Sequence, residues 1–260
     1  MPTKTKVHCS FYGLLNTNSD KHNCVLINSD VIVYKIYLPD YVSIIDDLSS
    51  FLDLKEIDRS KKYYKEIDKN RFIICRSLLK FVLSIHTKSD IKQIKLDYQK
   101  NKKPYLSSHP SVFFNVTHSE YYGLIAIANR AIGIDIEHID KPYDVVNSLE
   151  HIYNDKEISL IQNAIDKNYT FHSIWTRKEA FVKALGKGID DDFSKVPSID
   201  GLHILDSSIT KSKKNWKIQG FEITDNYIGA VAYEEKETCS EKIFIYALPN
   251  KINDLFELSS

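Results

Sequence analysis

The chain has 260 residues, 43% of them hydrophobic and 27% charged, which is the composition of an ordinary globular protein with one large domain or two small ones. Its 35 basic and 35 acidic side chains cancel to a formal net charge of zero, which argues against a general binder of nucleic acid or of anionic membranes. The four cysteines form no Cys-x-x-Cys pair, and no apolar run has the length of a signal peptide or a membrane span, so we expect a reduced protein in the cytoplasm.

The first half of the chain alternates predicted helices and strands. A buried strand is expected over 31–38, where Pro39 ends it, and a strongly buried helix over 71–84. The other predicted elements are an amphipathic helix from 40 to about 54, a solvated helix face over 55–70, a short strand over 91–96, a loop over 101–108, and strands over 113–116 and 122–128. This order is typical of an α+β fold.

The second half repeats the plan. The predicted elements are a strand over 133–137, helices over 145–154 and 171–185, a hairpin of 216–224 and 227–233, and a strand end with a loose tail from 248. Asp155 is the expected N-cap of a further helix, and Gly186 the expected end of the long one. The segment Tyr-Ile-Gly-Ala-Val-Ala-Tyr at 227–233 echoes Tyr-Gly-Leu-Ile-Ala-Ile-Ala at 122–128, which indicates two similar α+β halves, 1–131 and 132–260.

Asp135 and Glu137 lie two residues apart in a predicted strand, so both carboxylates point to one face. Their alternation with Ile134 and Ile136 is also what an edge strand with a wet outer face would show, and the pattern alone favours that interpretation. Gly133 permits another backbone to approach closely, which favours a constructed site instead.

The predicted helix over 171–185 carries Glu179 and Lys183 four residues apart, so the acid and the base share a face. The alternative is a surface pair that contributes only about 0.3–0.5 kcal/mol. Lys178 falls within the apolar arc of the same helix, where an ammonium group either extends to solvent or reaches an anion. The three carboxylates and the lysine, if they converge, would bind a hard divalent cation and the phosphates that it holds.

The eight glycines form no glycine-rich phosphate loop, so side chains and metal would have to hold any phosphate. His118 ends a predicted strand in a polar cluster with Asn115, Thr117 and Ser119, a common place for ligand contacts, although a lone histidine is more often structural. Five basic residues are scattered over the first half, and none indicates phosphate by itself: Arg59, Lys61, Lys62, Arg71 and Lys103.

Four segments resemble the motifs of the 4′-phosphopantetheinyl transferases of the Sfp type, in family order and at family spacing. They are Lys102-Lys103-Pro104-Tyr105, Phe114-Asn115-Val116-Thr117-His118-Ser119, Gly133-Ile134-Asp135-Ile136-Glu137 and Trp175-Thr176-Arg177-Lys178-Glu179-Ala180-Phe181-Val182-Lys183. The helix that starts at Arg71 also resembles the first-half helix of the family, so the resemblance spans roughly residues 71 to 188. The chain departs from the family at Lys102, where glycine is usual.

The resemblance implies a fold and a reaction. The family fold is a pseudo-dimer of two similar α+β halves, with coenzyme A in the cleft between them. The family reaction is Mg²⁺-dependent and moves 4′-phosphopantetheine from coenzyme A to a serine hydroxyl of an apo carrier protein, with release of adenosine 3′,5′-bisphosphate. Acyl or peptidyl carriers of fatty-acid, polyketide or non-ribosomal peptide synthesis would all fit as acceptors.

The resemblance also implies roles for individual residues. The expected Mg²⁺ ligands are Asp135, Glu137 and Glu179. Lys183 would contact the pyrophosphate of coenzyme A and stabilise the charge that develops in the transition state. Phosphate contacts are further expected from Arg59, Arg71, Lys103 and His118. Glu179 is the expected general base, with Glu157 or a water molecule as the alternative.

Two other functions stay open on the sequence. A Mg²⁺-dependent phosphohydrolase would use the same carboxylates on water and would turn over without a carrier protein. A non-catalytic binder of coenzyme A or of a carrier would need no full metal set, so the retained acids and Lys183 argue against it. Because both halves of the site lie in one chain, we expect a monomer.

Overall fold

The computed structural model describes residues 8–14, 31–139, 152–188, 193–205, 214–235 and 242–259. The strands in these ranges are β1 (His8–Leu14), β2 (Val31–Tyr37), β3 (Asp97–Tyr98), β4 (Pro104–Tyr105), β5 (Phe113–Ser119), β6 (Tyr122–Ala128), β7 (Ile132–His138), β8 (Gly201–His203), β9 (Trp216–Thr224), β10 (Tyr227–Glu234) and β11 (Lys242–Ala247). The α-helices are α1 (Ile45–Ser49), α2 (Leu54–Ser60), α3 (Glu66–Thr87), α4 (Asp155–Asn163), α5 (Lys167–Leu185) and α6 (Ile252–Ser259). None of these helices is long and apolar enough to cross a membrane.

Two larger sheets organise this mixed α+β fold. The first has the strand order β1-β11-β2-β6-β5 and the second has the order β7-β10-β9-β8, while β3 and β4 form a small ladder. The predicted division at residues 131 and 132 falls between β6 and β7, which belong to different sheets. However, β11 lies between β1 and β2 and pairs with both in parallel, so the end of the chain returns to the first sheet.

The two sheets are stacked face to face as the middle layers of a four-layer arrangement. The alternation of side chains along the strands shows which core each face contacts. On β2, Ile32, Tyr34 and Ile36 pack in a core with α3, whereas Val31 and Val33 pack in a second core between the sheets. The isoleucines of β7 face the core between the sheets, so the residues between them face α5 on the other side. The layers therefore follow the order α3, first sheet, second sheet, α5.

Local signals set the ends of the helices that carry the site. The Asp53 side chain accepts the N–H of Glu56 in a capping box that begins α2. The Asp166 side chain accepts the N–H of Tyr169 and begins α5. Gly186 ends α5 with φ at +67°, in the left-handed region that favours glycine, as the sequence predicts.

The predicted strands over 31–38, 113–116, 122–128 and 133–137, the helices over 71–84 and 171–185, and the hairpin are confirmed. The expected helix from 40 to 54 is instead a 3₁₀-helix over Leu38–Ile44 followed by the short α1. It is broken because Pro39 starts the 3₁₀ turn and Asp53 starts a new helix.

Three further local predictions are wrong. The expected strand over 91–96 contains a 3₁₀ turn, because the Asp90 side chain accepts the N–H of Lys92. Asn154, not Asp155, is the N-cap of α4. The expected loose tail is the helix α6, whose Leu255 joins the core around α3. The predicted helix over 145–154 lies mostly outside the described residues.

Candidate active site

Gly133 brings the acidic strand β7 against α5. A Cβ atom on Gly133 would lie 2.1 Å from the carbonyl oxygen of Ala180 and 2.3 Å from the amide nitrogen of Ala184, so the approach requires glycine. The face of β7 that carries Asp135 and Glu137 is therefore covered by the helix. The prediction that Gly133 permits a close backbone approach is confirmed, and the interpretation of a wet outer face is wrong.

Asp135 and Lys183 form the centre of the site. Asp135 is only 3% exposed, and Nζ of Lys183 lies 2.5 Å from its Oδ1. The hydroxyl of Thr117 donates to the same oxygen at 3.1 Å. Burial opposes the charge of Lys183, but the carboxylates of Asp135, Glu179 and Glu137 together raise its pKa above the ordinary value. The ammonium group is therefore retained at neutral pH.

Glu137 lies at the rim of the same cluster. The indole N–H of Trp175 donates to its Oε1 at 3.2 Å, and the hydroxyl of Ser119 donates to its Oε2 at 3.4 Å. Burial, followed by the charge of Asp135, raises the pKa of Glu137 to about 7. Two carboxylates that destabilise each other in this way favour a cation beside them.

Glu179, the third predicted metal ligand, lies on α5 one turn before Lys183. Burial raises its pKa, while Lys183 lowers it and Asp135 adds to the rise, so Glu179 shares the electrostatic field of the cluster. Among the described residues, no three His, Cys, Asp or Glu side chains are grouped closely enough to enclose a metal ion. The donor set still suits a hard cation, because Oδ2 of Asp135 is buried without a hydrogen-bond partner and carboxylate oxygens are the ligands that Mg²⁺ prefers.

A row of polar side chains on β5 joins the first sheet to β7. Oδ1 of Asn115 accepts the N–H of Ile134 at 2.9 Å, and Oγ of Ser119 accepts the N–H of His138 at 3.2 Å. With Thr117, every second residue of this stretch contacts the acidic strand. The sequence predicts a polar cluster here. It does not predict that the hydroxyls of Thr117 and Ser119 bind the carboxylates of β7, although polar residues at every second position indicate that these side chains share one face.

A basic pocket of about 450 Å³ opens beside this cluster. Its cationic lining residues are Arg59 from α2, Arg71 and Arg76 from α3, and Lys102, and His118 of β5 lines it as well. The structure thus brings together three of the four residues predicted to contact phosphate besides Lys183. It adds Arg76 and Lys102, for which the sequence predicts no phosphate contact. An arginine within an apolar helix gives no separate signal, and Lys102 stood out only as a departure from the glycine usual in the family.

Two arginines of the pocket carry buried N–H groups that have no hydrogen-bond partner. These groups are Nε of Arg71 and Nη1 of Arg76. The latter lies 3.7 Å from Oε1 of Glu56, which is an ion pair but too long for a hydrogen bond. Buried guanidinium groups in this state suit an anionic ligand such as a phosphate.

His118 connects the pocket to the carboxylate cluster. Its side chain lines the pocket, while its chain neighbour Thr117 contacts Asp135. Desolvation, followed by the positive charges of Arg71 and Lys183, lowers the pKa of His118. The imidazole is therefore neutral at pH 7 and can donate a hydrogen bond to an anion.

Lys103 points away from the basic pocket. Its Nζ donates to the carbonyl oxygens of Lys183 at 2.6 Å, Ile132 at 3.0 Å and Ala184 at 3.1 Å. An ammonium group has three N–H donors, so this arrangement leaves none for the phosphate contact expected from the sequence. The cation instead lies at the carboxyl end of α5, where it also interacts favourably with the helix dipole.

Glu157, the alternative ligand or base, is paired with Lys178 inside the protein. Oε2 of Glu157 lies 2.8 Å from Nζ of Lys178, and both side chains are buried. Lys178 also donates to the carbonyl oxygen of Phe193 at 2.9 Å. Of the two alternatives predicted for Lys178, extension to solvent or contact with an anion, the structure shows the second. This pairing makes Glu157 a structural residue in the described arrangement.

Comparison with known proteins agrees with the division into two halves. The family model described as the 4′-phosphopantetheinyl transferase superfamily matches residues 131–232, and the one described as 4′-phosphopantetheinyl transferase, N-terminal, matches residues 43–130. The chain is 28% identical over 217 residues to the 4′-phosphopantetheinyl transferase HetI of Nostoc sp. The match covers 81% of this chain and 90% of that protein.

Two further relatives come from Bacillus. The chain is 29% identical to the 4′-phosphopantetheinyl transferase psf-1 of Bacillus pumilus, over 81% of this chain and 91% of that protein. It is 26% identical to the 4′-phosphopantetheinyl transferase Sfp of Bacillus subtilis, over 76% of this chain and 90% of that protein. With two family models that meet at residue 131, these matches show that the chain belongs to the 4′-phosphopantetheinyl transferase superfamily, Sfp type, and to that enzyme class.

Proposed function

We propose that this chain transfers the 4′-phosphopantetheine group of coenzyme A to a serine hydroxyl of an apo acyl or peptidyl carrier protein. The observation that carries the proposal is the shared position of two features on β5. His118 lines a basic pocket with unpaired guanidinium N–H groups, and the adjacent Thr117 holds Asp135 in a cluster of carboxylates with Lys183. A ligand with phosphates at both places would bridge them, and coenzyme A has a 3′-phosphate and a pyrophosphate.

The basic pocket would hold the nucleotide end of coenzyme A. Arg71 and Arg76 have buried N–H groups for a phosphate, and Arg59 lies over the ring of Phe72 at 5.0 Å from its centroid, which holds its guanidinium group at the pocket wall. His118 would donate to the same phosphate, and once the anion is bound its lowered pKa would rise.

The residues that would hold Mg²⁺ are Asp135, Glu137 and Glu179. When bound, the ion would neutralise charge on the pyrophosphate and make the attacked phosphorus more electrophilic. Lys183 would also bind the pyrophosphate, because its ammonium group is held beside Asp135 with a raised pKa.

The transfer exchanges one P–O bond for another. The serine oxygen forms a bond to the phosphorus that bears pantetheine, and the bond from that phosphorus to the bridging oxygen breaks, so adenosine 3′,5′-bisphosphate leaves with the electron pair. The serine proton passes to a carboxylate, and we assign this role to Glu179, whose pKa is raised by burial. The pairing of Glu157 with Lys178 favours this assignment over the alternative base.

The proposed enzyme is a cytoplasmic monomer whose partners are coenzyme A and a carrier protein, with no nucleic acid or membrane involved. Carriers of fatty-acid, polyketide and non-ribosomal peptide synthesis are the candidate acceptors.

The test is the intact mass of an apo carrier protein incubated with the chain, coenzyme A and Mg²⁺. The expected result is a gain of one phosphopantetheine group that is lost when EDTA removes the metal and that requires the acceptor serine. Release of adenosine 3′,5′-bisphosphate without a carrier would show a hydrolase instead. Absence of mass gain on carriers of all three pathways, with coenzyme A still bound, would show a binding protein.

A further inference from the structure

The turn between β3 and β4, residues 99–103, bridges the basic pocket and the carboxyl end of α5. The turn is closed by hydrogen bonds from the N–H of Gln99 to the carbonyl of Lys103 at 2.9 Å and from the N–H of Lys102 to the carbonyl of Gln99 at 2.8 Å. Lys102 and Pro104 line the basic pocket. The turn belongs to the first half of the chain, but its Gln99, Asn101 and Lys103 side chains contact the second half.

These contacts fasten the turn to the end of α5. Besides the three bonds of Lys103, Nδ2 of Asn101 donates to the carbonyl oxygen of Gly186 at 3.0 Å. A Cβ atom on Gly186 would lie 2.6 Å from Oε1 of Gln99, so the carboxyl end of α5 packs directly on the turn. Four hydrogen bonds from two side chains therefore hold backbone carbonyl oxygens of the second half. Three of these carbonyls lie at the carboxyl end of α5, and that of Ile132 lies at the start of β7.

One of the carbonyls held by Lys103 belongs to Lys183, whose own side chain contacts Asp135. The backbone of Lys183 is thus held by Lys103, while its ammonium group is held by Asp135. Burial lowers the pKa of Lys103 to about 8, which still leaves it mainly charged at pH 7. A charged donor at a helix carboxyl end strengthens each of these bonds.

We propose that Lys103 is a positioning residue and not a ligand of phosphate. Its hydrogen bonds hold the turn 99–103, which forms part of the wall of the basic pocket, against the end of the helix that bears Lys183, and we call this set of bonds the lock. The catalytic consequence rests on the proposed function, but the lock itself does not. The lock couples the two ends of the site, so its loss should both weaken nucleotide binding and slow the transfer.

Hydrogen exchange tests the lock without any substrate. The N–H of Gly186 bonds to the carbonyl of Lys183 at 3.2 Å, which Lys103 also holds. In the Lys103→Met protein the last turn of α5 should open more easily, and the amides of Gly186 and Lys187 should exchange about tenfold faster. The matched control Lys102→Met, which keeps the turn but removes a pocket cation, should leave this exchange unchanged.

Nucleotide binding separates the lock from a phosphate contact. Equilibrium affinities are measured for adenosine 3′,5′-bisphosphate and adenosine 5′-monophosphate. If Lys103 is a lock, Lys103→Met weakens both nucleotides by the same factor, whereas Lys102→Met weakens the bisphosphate more. A selective loss of the bisphosphate in Lys103→Met, together with unchanged exchange, would overturn the proposal.

The Lys103→Arg variant distinguishes the two possible roles of Lys103, because a residue of the lock and a ligand of phosphate should respond to it in opposite ways. A planar guanidinium group cannot direct N–H groups at three converging carbonyls, so Arg should behave like Met if the residue is a lock. Arginine is a good ligand of phosphate, so full affinity and unchanged exchange in this variant would contradict the lock. If Lys103→Met does not fold, Asn101→Ala weakens the same lock at an exposed position and should speed exchange at Lys187 about threefold. Unchanged exchange in both Asn101→Ala and Lys103→Arg would count against the proposal.

The outcome does not depend on catalysis. If the wild-type chain modifies no carrier, the proposed function fails while the exchange data still decide the lock. If the wild-type chain is active and Lys103→Met retains both kcat and KM for coenzyme A, the proposed function stands and the coupling role fails. The expected result is a lower kcat and a higher KM together.

Discussion

The ammonium group of Lys183 lies 2.5 Å from Oδ1 of Asp135, a residue 48 positions earlier in the chain. Thr117 donates to the same oxygen, so Oδ1 is fully engaged while the buried Oδ2 has no hydrogen-bond partner. Asp135 therefore has one oxygen oriented by the protein and one suited to a cation. Under the proposed function, a carboxylate oriented in this way would serve both the metal and the lysine that would bind the pyrophosphate.

We expect Asp135→Asn to lower the transfer rate by roughly 100-fold or more while the protein remains folded, because the change removes the charge but keeps the shape of the side chain. The measurement is carrier mass gain over time, with the circular dichroism spectrum as the check on folding. Asp58→Asn is the control, since Asp58 forms only an exposed pair with Lys61 at 3.2 Å. Turnover of the Asp135 variant within tenfold of the wild type would contradict its assignment as a metal ligand.

Gly133→Ala should destabilise the protein by about 1–3 kcal/mol, because the added methyl group would lie 2.1 Å from the carbonyl oxygen of Ala180 and force β7 away from α5. The free energy of unfolding is measured by denaturant titration. Gly188→Ala is the matched control, since a Cβ atom there meets nothing within 4 Å. If the Gly133→Ala and Gly188→Ala variants were equally stable, α5 would accommodate the added methyl group without a loss of stability, contrary to this prediction. Since the displacement separates Glu179 and Lys183 from Asp135, the transfer rate should fall as well.

The elements nearest the chemistry were the easiest to predict from the sequence. The alternation of β7 and the apolar stripe of α5 are local patterns, and both elements form where expected. Gly133 also predicted a close backbone approach to β7, although it did not indicate that α5 is the partner. These predictions succeeded because each depends on neighbours within a few residues, which one sequence displays directly.

Pairings between distant residues were not predictable in the same way. No local pattern indicates that β11 inserts between β1 and β2, or that Glu157 is the anion that Lys178 reaches. A phosphate contact of Lys103 was implied only by the resemblance of its segment to a family motif. Its actual partners are backbone carbonyls, which the identity of the side chains does not reveal.

Lys102 stands where the family usually has glycine, and its φ is +61°, in the left-handed region. Lys102→Gly should therefore stabilise the protein by about 1 kcal/mol, but it should weaken binding of a phosphorylated nucleotide because a pocket cation is lost. Lys88→Gly is the matched control: Lys88 has φ of 53° at the end of α3 and does not line the pocket. It should give a similar gain in stability with unchanged nucleotide affinity. A loss of affinity in both variants would show that the pocket cation is not the cause.

We expect His86 to contribute a loss of stability as the pH falls from 6.5 to 4. Burial lowers the pKa of His86 to about 4, and its Nε2 lies 2.8 Å from the hydroxyl oxygen of Tyr34. As the pH falls below 6.5 the unfolded chain binds a proton at this residue while the folded protein does not, so the free energy of unfolding decreases, by about 3 kcal/mol once the pH is below 4. The measurement is the denaturant midpoint at several pH values for the wild type and for His86→Phe. The variant should lose this part of the pH dependence, and identical slopes would refute the assignment.

Glu157→Gln distinguishes a structural carboxylate from a catalytic one. The change leaves the buried ammonium of Lys178 without its charged partner, so we expect a loss of about 3 kcal/mol in the free energy of unfolding. At a temperature where the variant is still folded, its kcat should stay within about tenfold of the wild type, whereas removal of a general base would lower kcat by roughly 10²–10⁴. The double variant Glu157→Gln with Lys178→Met should be more stable than the sum of the two single changes, because the uncompensated charge is then absent. If kcat is lost while stability is unchanged, Glu157 and not Glu179 is the base, and its ion pair with Lys178 must open when substrate binds.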